Sequence, residues 1–137
     1  MIHRHRLRVR FGDCDPAGIV YFPRYFDWFH QAMETWFDEG LERPYAEVIA
    51  SGLGFPAVHT EADYKAPSKL GEDLVVELSV EHVGNASIAL DYRVLGADLK
   101  ATGRTVVCVV RITDQGVEPT RLDGDLRARI EQFSEAP

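Results

Sequence analysis

The sequence has few cysteines and no recognisable metal-binding spacing. Its two cysteines, Cys14 and Cys108, are too few and too far apart for a disulfide framework or a CxxC metal site. None of its five histidines stands in an HxxxH or HExxH arrangement. We therefore predict a chain that binds no metal and uses no cofactor.

The sequence also lacks a long apolar run and a surplus of basic residues. No apolar run approaches the roughly 18 residues typical of a transmembrane helix, and the N-terminal MIHRHRLRVRF lacks the apolar core of a signal peptide. Its 15 Lys and Arg against 22 Asp and Glu give a net charge of -7, whereas a phosphate backbone demands a basic face. We expect a reducing, cytoplasmic setting, with neither nucleic acid nor membrane as a partner.

The residues that are present fit one folded domain of ordinary composition. The 137 residues are enough to bury a single core but not two. Hydrophobic residues make up 45% and charged residues 27% of the chain, as in globular proteins. Because no repeat, low-complexity tract or linker divides the chain, we predict one domain over residues 1–137.

Two periodicities near the N-terminus predict a strand followed by a helix. Residues 5–11 alternate, with Leu7, Val9 and Phe11 on the face expected to be buried. From about residue 23 to residue 39, aromatic and other apolar residues recur at three- and four-residue steps, which predicts a core helix. Gly40 suits the end of that helix.

The rest of the chain is mainly strand-like, so the fold class predicted is α+β. Alternating or β-branched stretches cover residues 56–65, 74–81, 88–94 and 105–112, and short helices are expected near residues 44–51 and 123–133. The simplest architecture is an antiparallel sheet wrapped around one helix. Because such a sheet leaves one face uncovered within the chain, we also predict a dimer or higher oligomer.

The segment from residue 11 to residue 37, FGDCDPAGIVYFPRYFDWFHQAMETWF, places carboxylates immediately before the long helix. The first N–H groups of a helix have no internal partner, and the helix dipole adds positive charge there. That helix end can hold a carbonyl oxygen as it becomes an oxyanion. A carboxylate just upstream can attack the carbonyl carbon or activate water. The alternative is that Asp13 and Asp15 only shape a turn.

The motif GDCDPAGIV followed by YFPRYFDWF resembles the signature of the 4-hydroxybenzoyl-CoA thioesterase family, within the hot-dog superfamily. Weaker similarity runs through Phe55-Pro56, the YKAP and RTVVCVVR stretches, and the PTRL segment. The resemblance implies a hot-dog fold, in which a five-stranded antiparallel sheet wraps around one long central helix. It also implies a homodimer, often assembled further into a homotetramer.

The resemblance implies roles for three residues. Asp15, the second aspartate of DCD, corresponds to the catalytic carboxylate, which acts as nucleophile or general base. The oxyanion donor, a backbone N–H at the start of the helix, maps to Phe22. An aromatic residue there favours an aromatic acyl group, since the short-chain branch often has a histidine. His30 replaces a carboxylate that relatives commonly carry, and it either contacts substrate or packs as an ordinary helix histidine.

Candidates for substrate contact come from the same helix and from the first strand after it. Tyr21 and Tyr25 can form an aromatic wall for the acyl group, although aromatic residues on a helix face are more often core. His59, Thr60 and Tyr64 lie on the strand expected to line the pocket, where alternate side chains point inward. Cys14 is a weaker nucleophile candidate because it has no evident histidine partner.

Binding an anionic CoA to an acidic chain requires basic residues gathered at the pocket mouth. The family's basic cluster corresponds here to residues 81–87, which contain neither Arg nor Lys. Lys65, Arg104 and Arg121 are therefore the CoA-binding candidates, and a neighbouring subunit can supply some of them.

Taken with the resemblance, the sequence predicts an acyl-CoA thioesterase that releases an aromatic acid, of the benzoyl or hydroxybenzoyl kind, from CoA. Two alternatives stay open at this stage. One is a thioesterase for short-chain or carrier-protein-linked acyl groups. The other is a non-catalytic acyl-CoA binding protein that keeps the same shell.

Overall fold

The computed structural model describes residues 1–134, so the end of the predicted domain, residues 135–137, lies outside the described residues. The strands are β1 (His3–Arg8), β2 (Leu53–Gly54), β3 (Ala57–Tyr64), β4 (Asp73–Val83), β5 (Ser87–Leu95), β6 (Leu99–Cys108), β7 (Val110–Thr113) and β8 (Gly116–Pro119). The helices are α1 (Arg24–Thr35), α2 (Tyr45–Ala50) and α3 (Gly124–Glu131).

Five strands form the main sheet in the order β1-β4-β5-β6-β3, with every neighbouring pair antiparallel. One face of this sheet is apolar because side chains alternate along each strand. On β4, for example, Leu74, Val76, Leu78 and Val80 are all buried. The predicted α+β class, an antiparallel sheet with a helix against it, is confirmed.

Helix α1 packs on the apolar face of the main sheet and contributes three aromatic side chains to the core. Its buried side chains are Tyr25, Trp28, Phe29, Ala32 and Met33. Pro23 stands just before its first residue, and a π-helical turn, Trp36–Gly40, follows its last. The helix predicted as one piece to residue 39 therefore ends its regular part at Thr35.

The contact between α1 and the sheet depends on a small residue in β6. The Phe29 ring stacks on Tyr92 with centroids 4.5 Å apart. A Cβ atom at Gly103 would lie 2.3 Å from the same Phe29 ring. Glycine is therefore required at position 103 for the helix to approach this closely.

A second, three-stranded sheet in the order β2-β7-β8 was not expected from the sequence. The predicted strand over residues 105–112 divides at Val109, between β6 and β7. The Val109 N–H binds the carbonyl oxygen of Ala86, and its own carbonyl accepts from Thr120. These bonds turn the chain out of the main sheet and into the small one.

The N-terminal strand is shorter than predicted, and Phe11 is not buried. β1 ends at Arg8, and residues Phe11–Asp13 form a 3₁₀ turn that carries the chain away from the sheet. Phe11 is 83% exposed, so the prediction that it lies on the apolar face was wrong. The alternating sequence pattern extends beyond the last residue of β1, but there no partner strand holds the chain in the sheet.

The sheet face opposite α1 is charged rather than apolar. It carries ion pairs such as Arg104 with Glu81 and Arg4 with Glu77. Such a face is stable in water and needs no cover, so it gives no reason for oligomerisation.

Candidate active site

The loop between β1 and α1 is held in a closed shape by backbone hydrogen bonds. The carbonyl of Asp13 accepts from the Tyr21 N–H at 2.8 Å, and its carboxylate accepts from the Arg10 N–H at 2.9 Å. Cys14 and Val20 form an isolated antiparallel bridge across the loop. The loop therefore arrives at the start of α1 in a fixed geometry.

Asp15 stands at the tip of this loop and is half-buried. Its Oδ1 accepts from the Ala17 N–H at 2.9 Å, and its carbonyl accepts from the Gly18 N–H at 3.0 Å. Gly18 has φ +80°, a backbone conformation that favours glycine. Among residues 1–134, no donor binds the second oxygen, Oδ2, so the carboxylate shapes the turn and still keeps one oxygen unused.

The start of α1 leaves one backbone donor free. The N–H groups of Tyr21, Arg24, Tyr25 and Phe26 all bind carbonyl oxygens nearby, and Pro23 has no N–H. The Phe22 N–H has no acceptor among the described residues. A free N–H at the positive end of a twelve-residue helix is suited to an oxygen that gains negative charge.

A pocket of about 480 Å³ lies beside this helix start. Its walls include Phe22, Tyr25 and Tyr64, whose rings meet edge to face: Phe22 and Tyr25 lie 6.0 and 5.4 Å from Tyr64 between centroids. The Tyr64 hydroxyl donates to the Phe22 carbonyl at 3.4 Å. Ile19 forms part of the wall, whereas Asp15, four residues earlier, is not among the lining residues.

The aromatic residues predicted from the helix motif therefore gather at one place. Tyr21 joins them through an edge contact with Phe22, at 5.4 Å between centroids. Tyr21 and Phe22 are exposed, while Tyr25 is buried and its hydroxyl lies 2.8 Å from that of Ser68. Burial raises the pKa of Tyr25, so this hydroxyl stays protonated.

A second cavity, of about 420 Å³, lies further along α1, between the helix and the sheet. It includes two predicted residues, His30 and Thr60. His30 is exposed at its rim, with Nε2 at 3.2 Å from Glu34 Oε2. Sequence reasoning missed Tyr92 and Thr105, which line the same cavity and look in the sequence like ordinary strand residues.

Because side chains alternate along β3, the three residues predicted on it do not all face the same side of the sheet. Thr60 and Tyr64 lie opposite Thr105 and Ala101, on the side of the sheet that faces α1. His59 lies on the other side, where its Nε2 is 3.0 Å from Glu61 Oε1. Thr60 and Tyr64 are thus the two that line cavities.

The three predicted CoA-binding cations stand in different surroundings. Lys65 lines the pocket at the helix start. Arg104 pairs with Glu81 at 2.6 Å on the charged face of the sheet. Arg121 pairs with Asp123 at 2.7 Å. Lys65 alone of these three lies beside the predicted catalytic loop.

Two further features bear on function. Within residues 1–134, no helix combines the length and apolar character needed to cross a membrane. In the same part of the chain, no three or more His, Cys, Asp or Glu side chains are grouped so that they could hold a metal ion.

Comparison with known proteins identifies a family and a fold. Residues 9–131 match the thioesterase-like superfamily. A 1,4-dihydroxy-2-naphthoyl-CoA hydrolase of Synechococcus sp. (strain CC9605) is 34% identical over 96 residues, which cover 64% of this chain and 62% of that protein. A protein of the same name from Prochlorococcus marinus (strain NATL2A) is 36% identical over 96 residues, covering 62% and 59%. The chain thus spans about three fifths of these relatives.

Solved structures share the fold at lower sequence identity. A 1,4-dihydroxy-2-naphthoyl-CoA thioesterase from Synechocystis has a TM-score of 0.84 at 24% identity, covering 99% of this chain and 100% of the other. The 4-hydroxybenzoyl-CoA thioesterase from Pseudomonas sp. strain CBS-3 has a TM-score of 0.85 at 21% identity, covering 93% and 98%. The family resemblance that the GDCDPAGIV motif indicated is confirmed.

Proposed function

Because the chain belongs to the thioesterase-like superfamily, we propose that it is an acyl-CoA thioesterase that hydrolyses an aromatic acyl-CoA to the free acid and CoA. Relatives named as 1,4-dihydroxy-2-naphthoyl-CoA hydrolases support an aromatic substrate. A gentisyl-CoA thioesterase of the same fold, 26% identical, supports it further. The observation that carries the proposal is a carboxylate with one unused oxygen, Asp15, in the loop that leads to the free N–H of Phe22.

Asp15 drives the reaction in one of two ways. As a nucleophile, its oxygen attacks the thioester carbon, the C–S bond breaks, CoA leaves as thiolate, and water then hydrolyses the mixed anhydride. As a general base, it takes a proton from the water that attacks the same carbon. Both routes place negative charge on the carbonyl oxygen, and the Phe22 N–H stabilises that charge. Neither route requires a metal or a redox cofactor.

Lys65 contacts the CoA portion of the substrate. It lines the pocket at the helix start, and its ammonium has no ion-pair partner among the described residues. Arg104 and Arg121 are already paired with carboxylates, so a phosphate would have to compete with those partners. A local positive charge is what an acidic chain needs to attract an anionic ligand.

The chain assembles as a homodimer through β3, on the hot-dog plan of a main sheet around α1. β3 is an edge strand of the main sheet, and all but one of its eight residues are exposed. Its backbone therefore offers unpaired donors and acceptors to another strand. The pocket at the helix start lies against the end of β3 at Tyr64, so a second copy on this edge would border the site. A homotetramer, as a dimer of dimers, extends the same proposal.

A substrate panel tests the proposed function. The purified chain is incubated with benzoyl-, 4-hydroxybenzoyl-, 1,4-dihydroxy-2-naphthoyl- and butyryl-CoA, and free thiol is measured. Faster release from the aromatic thioesters supports the proposal, and faster release from butyryl-CoA favours the short-chain alternative. CoA binding without thiol release from any thioester would favour the non-catalytic alternative and overturn the proposal.

A further inference from the structure

The cavity of about 420 Å³ along α1 contains an unusual polar group at its wall. Most of its lining is aromatic or aliphatic, from Phe26, Phe29, Met33, Phe55 and Val107. Tyr92 also lines it, on β5, two strands in from the sheet edge. Apolar pockets with a few placed polar groups are typical of small-molecule sites, in which the polar groups fix orientation.

The Tyr92 hydroxyl belongs to a short row of hydroxyl groups at the cavity wall. The side chain is 2% exposed, and a buried tyrosine hydroxyl ordinarily finds a partner. Its partner is the Thr105 hydroxyl, whereas the hydroxyls of Tyr25 and Tyr64 pair with Ser68 and with the Phe22 carbonyl. Because a hydroxyl both donates and accepts, one bond with Thr105 leaves the Tyr92 hydroxyl able to form another at the cavity wall.

Burial raises the pKa of Tyr92, and the hydrogen bond with the Thr105 hydroxyl opposes that rise. The group therefore stays protonated, as a neutral donor and acceptor. Thr105 adds its own hydroxyl, 3.2 Å from that of Thr60. Three hydroxyls thus stand at one side of an otherwise apolar space, while the Phe29 ring, stacked on Tyr92 at 4.5 Å, fixes the orientation of the Tyr92 ring.

The cavity is also within reach of the reacting centre. Phe26, in its wall, follows Phe22 by one helical turn, a rise of roughly 6 Å. On β3, the residues facing α1 run from Tyr64, at the helix-start pocket, through Ala62 to Thr60, at the cavity. An acyl group whose thioester lies at the Phe22 N–H can therefore place its far end in this cavity.

We propose that the cavity receives the acyl group and that the Tyr92 hydroxyl, together with the Thr60–Thr105 pair, binds a polar substituent remote from the thioester. The ligand class is a flat aromatic acyl group bearing a hydroxyl or carbonyl oxygen. The inference rests on the proposed function and adds a specificity-determining residue, Tyr92, to it.

The test compares hydroxylated with unsubstituted substrates in a conservative variant. Tyr92→Phe keeps the ring and its stack on Phe29 but removes the hydroxyl. For 1,4-dihydroxy-2-naphthoyl-CoA, we expect kcat/KM to fall about tenfold, the scale of one hydrogen bond. For 2-naphthoyl-CoA, which lacks the substituents, we expect little change. An equal change for both substrates would overturn the proposal.

A pair of threonine variants provides a matched control. Thr105→Val removes a hydroxyl that lines the cavity, and Thr102→Val makes the same change on β6 but on the charged face of the sheet. We expect Thr105→Val, but not Thr102→Val, to reduce the ratio of kcat/KM for 1,4-dihydroxy-2-naphthoyl-CoA to kcat/KM for 2-naphthoyl-CoA. Melting temperatures of all variants show whether each one is folded.

A binding measurement separates this inference from the proposed function. Calorimetry compares 1,4-dihydroxy-2-naphthoate with 2-naphthoate, and needs no catalysis. The chain could cleave no thioester and still bind 1,4-dihydroxy-2-naphthoate more tightly than 2-naphthoate, with that difference lost in Tyr92→Phe. This result would overturn the proposed function and support the proposed binding site. Equal affinities for the two acids would show that the cavity does not bind a polar substituent, which would overturn this inference.

Discussion

At the scale of single residues, the central feature is how the two oxygens of Asp15 are used. One oxygen accepts a hydrogen bond from the Ala17 N–H and shapes the turn. The alternative that Asp15 only shapes a turn therefore accounts for one of its two carboxylate oxygens. The other has no protein donor among residues 1–134. A carboxylate held by one oxygen is positioned without losing its reactive lone pairs.

The aromatic residues of the local motif lie together in the structure, while their roles stay predictions; a residue that only the fold brings to the cavity was missed. Tyr21, Phe22 and Tyr25 lie within one short segment of the chain, and the structure brings them together with Tyr64. Tyr92 could not be found this way, because alternation on β5 gives it the same signature as its core neighbours. Only the packing of β5 against α1 distinguishes it.

Removal of the Lys65 charge is expected to weaken CoA binding specifically. Lys65→Ala should raise KM for an acyl-CoA about fivefold, the upper range for an exposed charge pair. The thioester of N-acetylcysteamine lacks the nucleotide, and its KM should not change. Arg93→Ala removes an exposed cation from the charged face of the sheet and serves as the control. Equal effects on both thioesters would exclude a contact between Lys65 and the nucleotide.

At the scale of elements, the docking of β1 against α1 contains a buried polar network. His3 Nε2 and His5 Nδ1 lie 2.8 and 3.2 Å from the Thr35 hydroxyl. That hydroxyl also lies 3.2 Å from the Ala32 carbonyl. If its one proton goes to that carbonyl, both imidazoles must donate to Thr35. His5 Nε2, buried without a partner, is then unprotonated.

The network predicts that stability falls in mild acid. Burial lowers the pKa of both His3 and His5 below 6.5, although Glu39 opposes the shift at each and Gln31 does so at His5. The folded chain then binds fewer protons than the unfolded chain. The contribution of these histidines to the free energy of unfolding is therefore full above their pKa in the unfolded chain, and it is lost as pH falls below that value. The melting temperature should decrease from about pH 7.5 to about pH 5.5.

The variant His5→Gln should reduce that pH dependence, because one of the two titrating groups is gone. His82→Gln, at an exposed position on β4, is the control and should leave the dependence intact. Thermal unfolding at several pH values measures both. A melting temperature that is constant over this range in the unaltered chain would contradict the account.

Local periodicity predicted some elements closely and missed others for physical reasons. Alternation on β4 and β5 placed both strands, because each has one apolar and one polar face. The division between β6 and β7 could not be predicted, since it depends on the bond that the Val109 N–H donates to the Ala86 carbonyl and on the bond that the Val109 carbonyl accepts from the Thr120 N–H. The π-helical turn after Thr35 likewise has no periodicity signal of its own.

At the scale of the whole molecule, an exposed strand edge favours a dimer. An oligomer was predicted from the sequence because one face of the sheet has no cover within the chain. In the structure that face carries ion pairs. β3 provides the better reason, because its outer edge and most of its side chains are exposed. We expect a mass in solution of at least twice the 15.4 kDa of one chain.

A charge on the β3 edge should disrupt this assembly. Val58 is 65% exposed on β3, and Val117 is 63% exposed on β8, so the two provide matched positions. Val58→Asp should shift the light-scattering mass toward one chain at low micromolar concentration, because a buried unpaired charge is costly at an interface. Val117→Asp should leave the mass unchanged. Dissociation by Val117→Asp alone would place the interface on the small sheet instead.

The central claim is tested most directly by thiol release from an aromatic acyl-CoA by Asp15→Asn, with Asp13→Asn as its matched control. Asparagine keeps an oxygen that can accept from the Ala17 N–H or from the Arg10 N–H, so both variants should fold. We predict that kcat falls at least about a hundredfold in Asp15→Asn, the scale of a positioned catalytic group, and stays near the original value in Asp13→Asn. Near-normal turnover by Asp15→Asn would contradict the account.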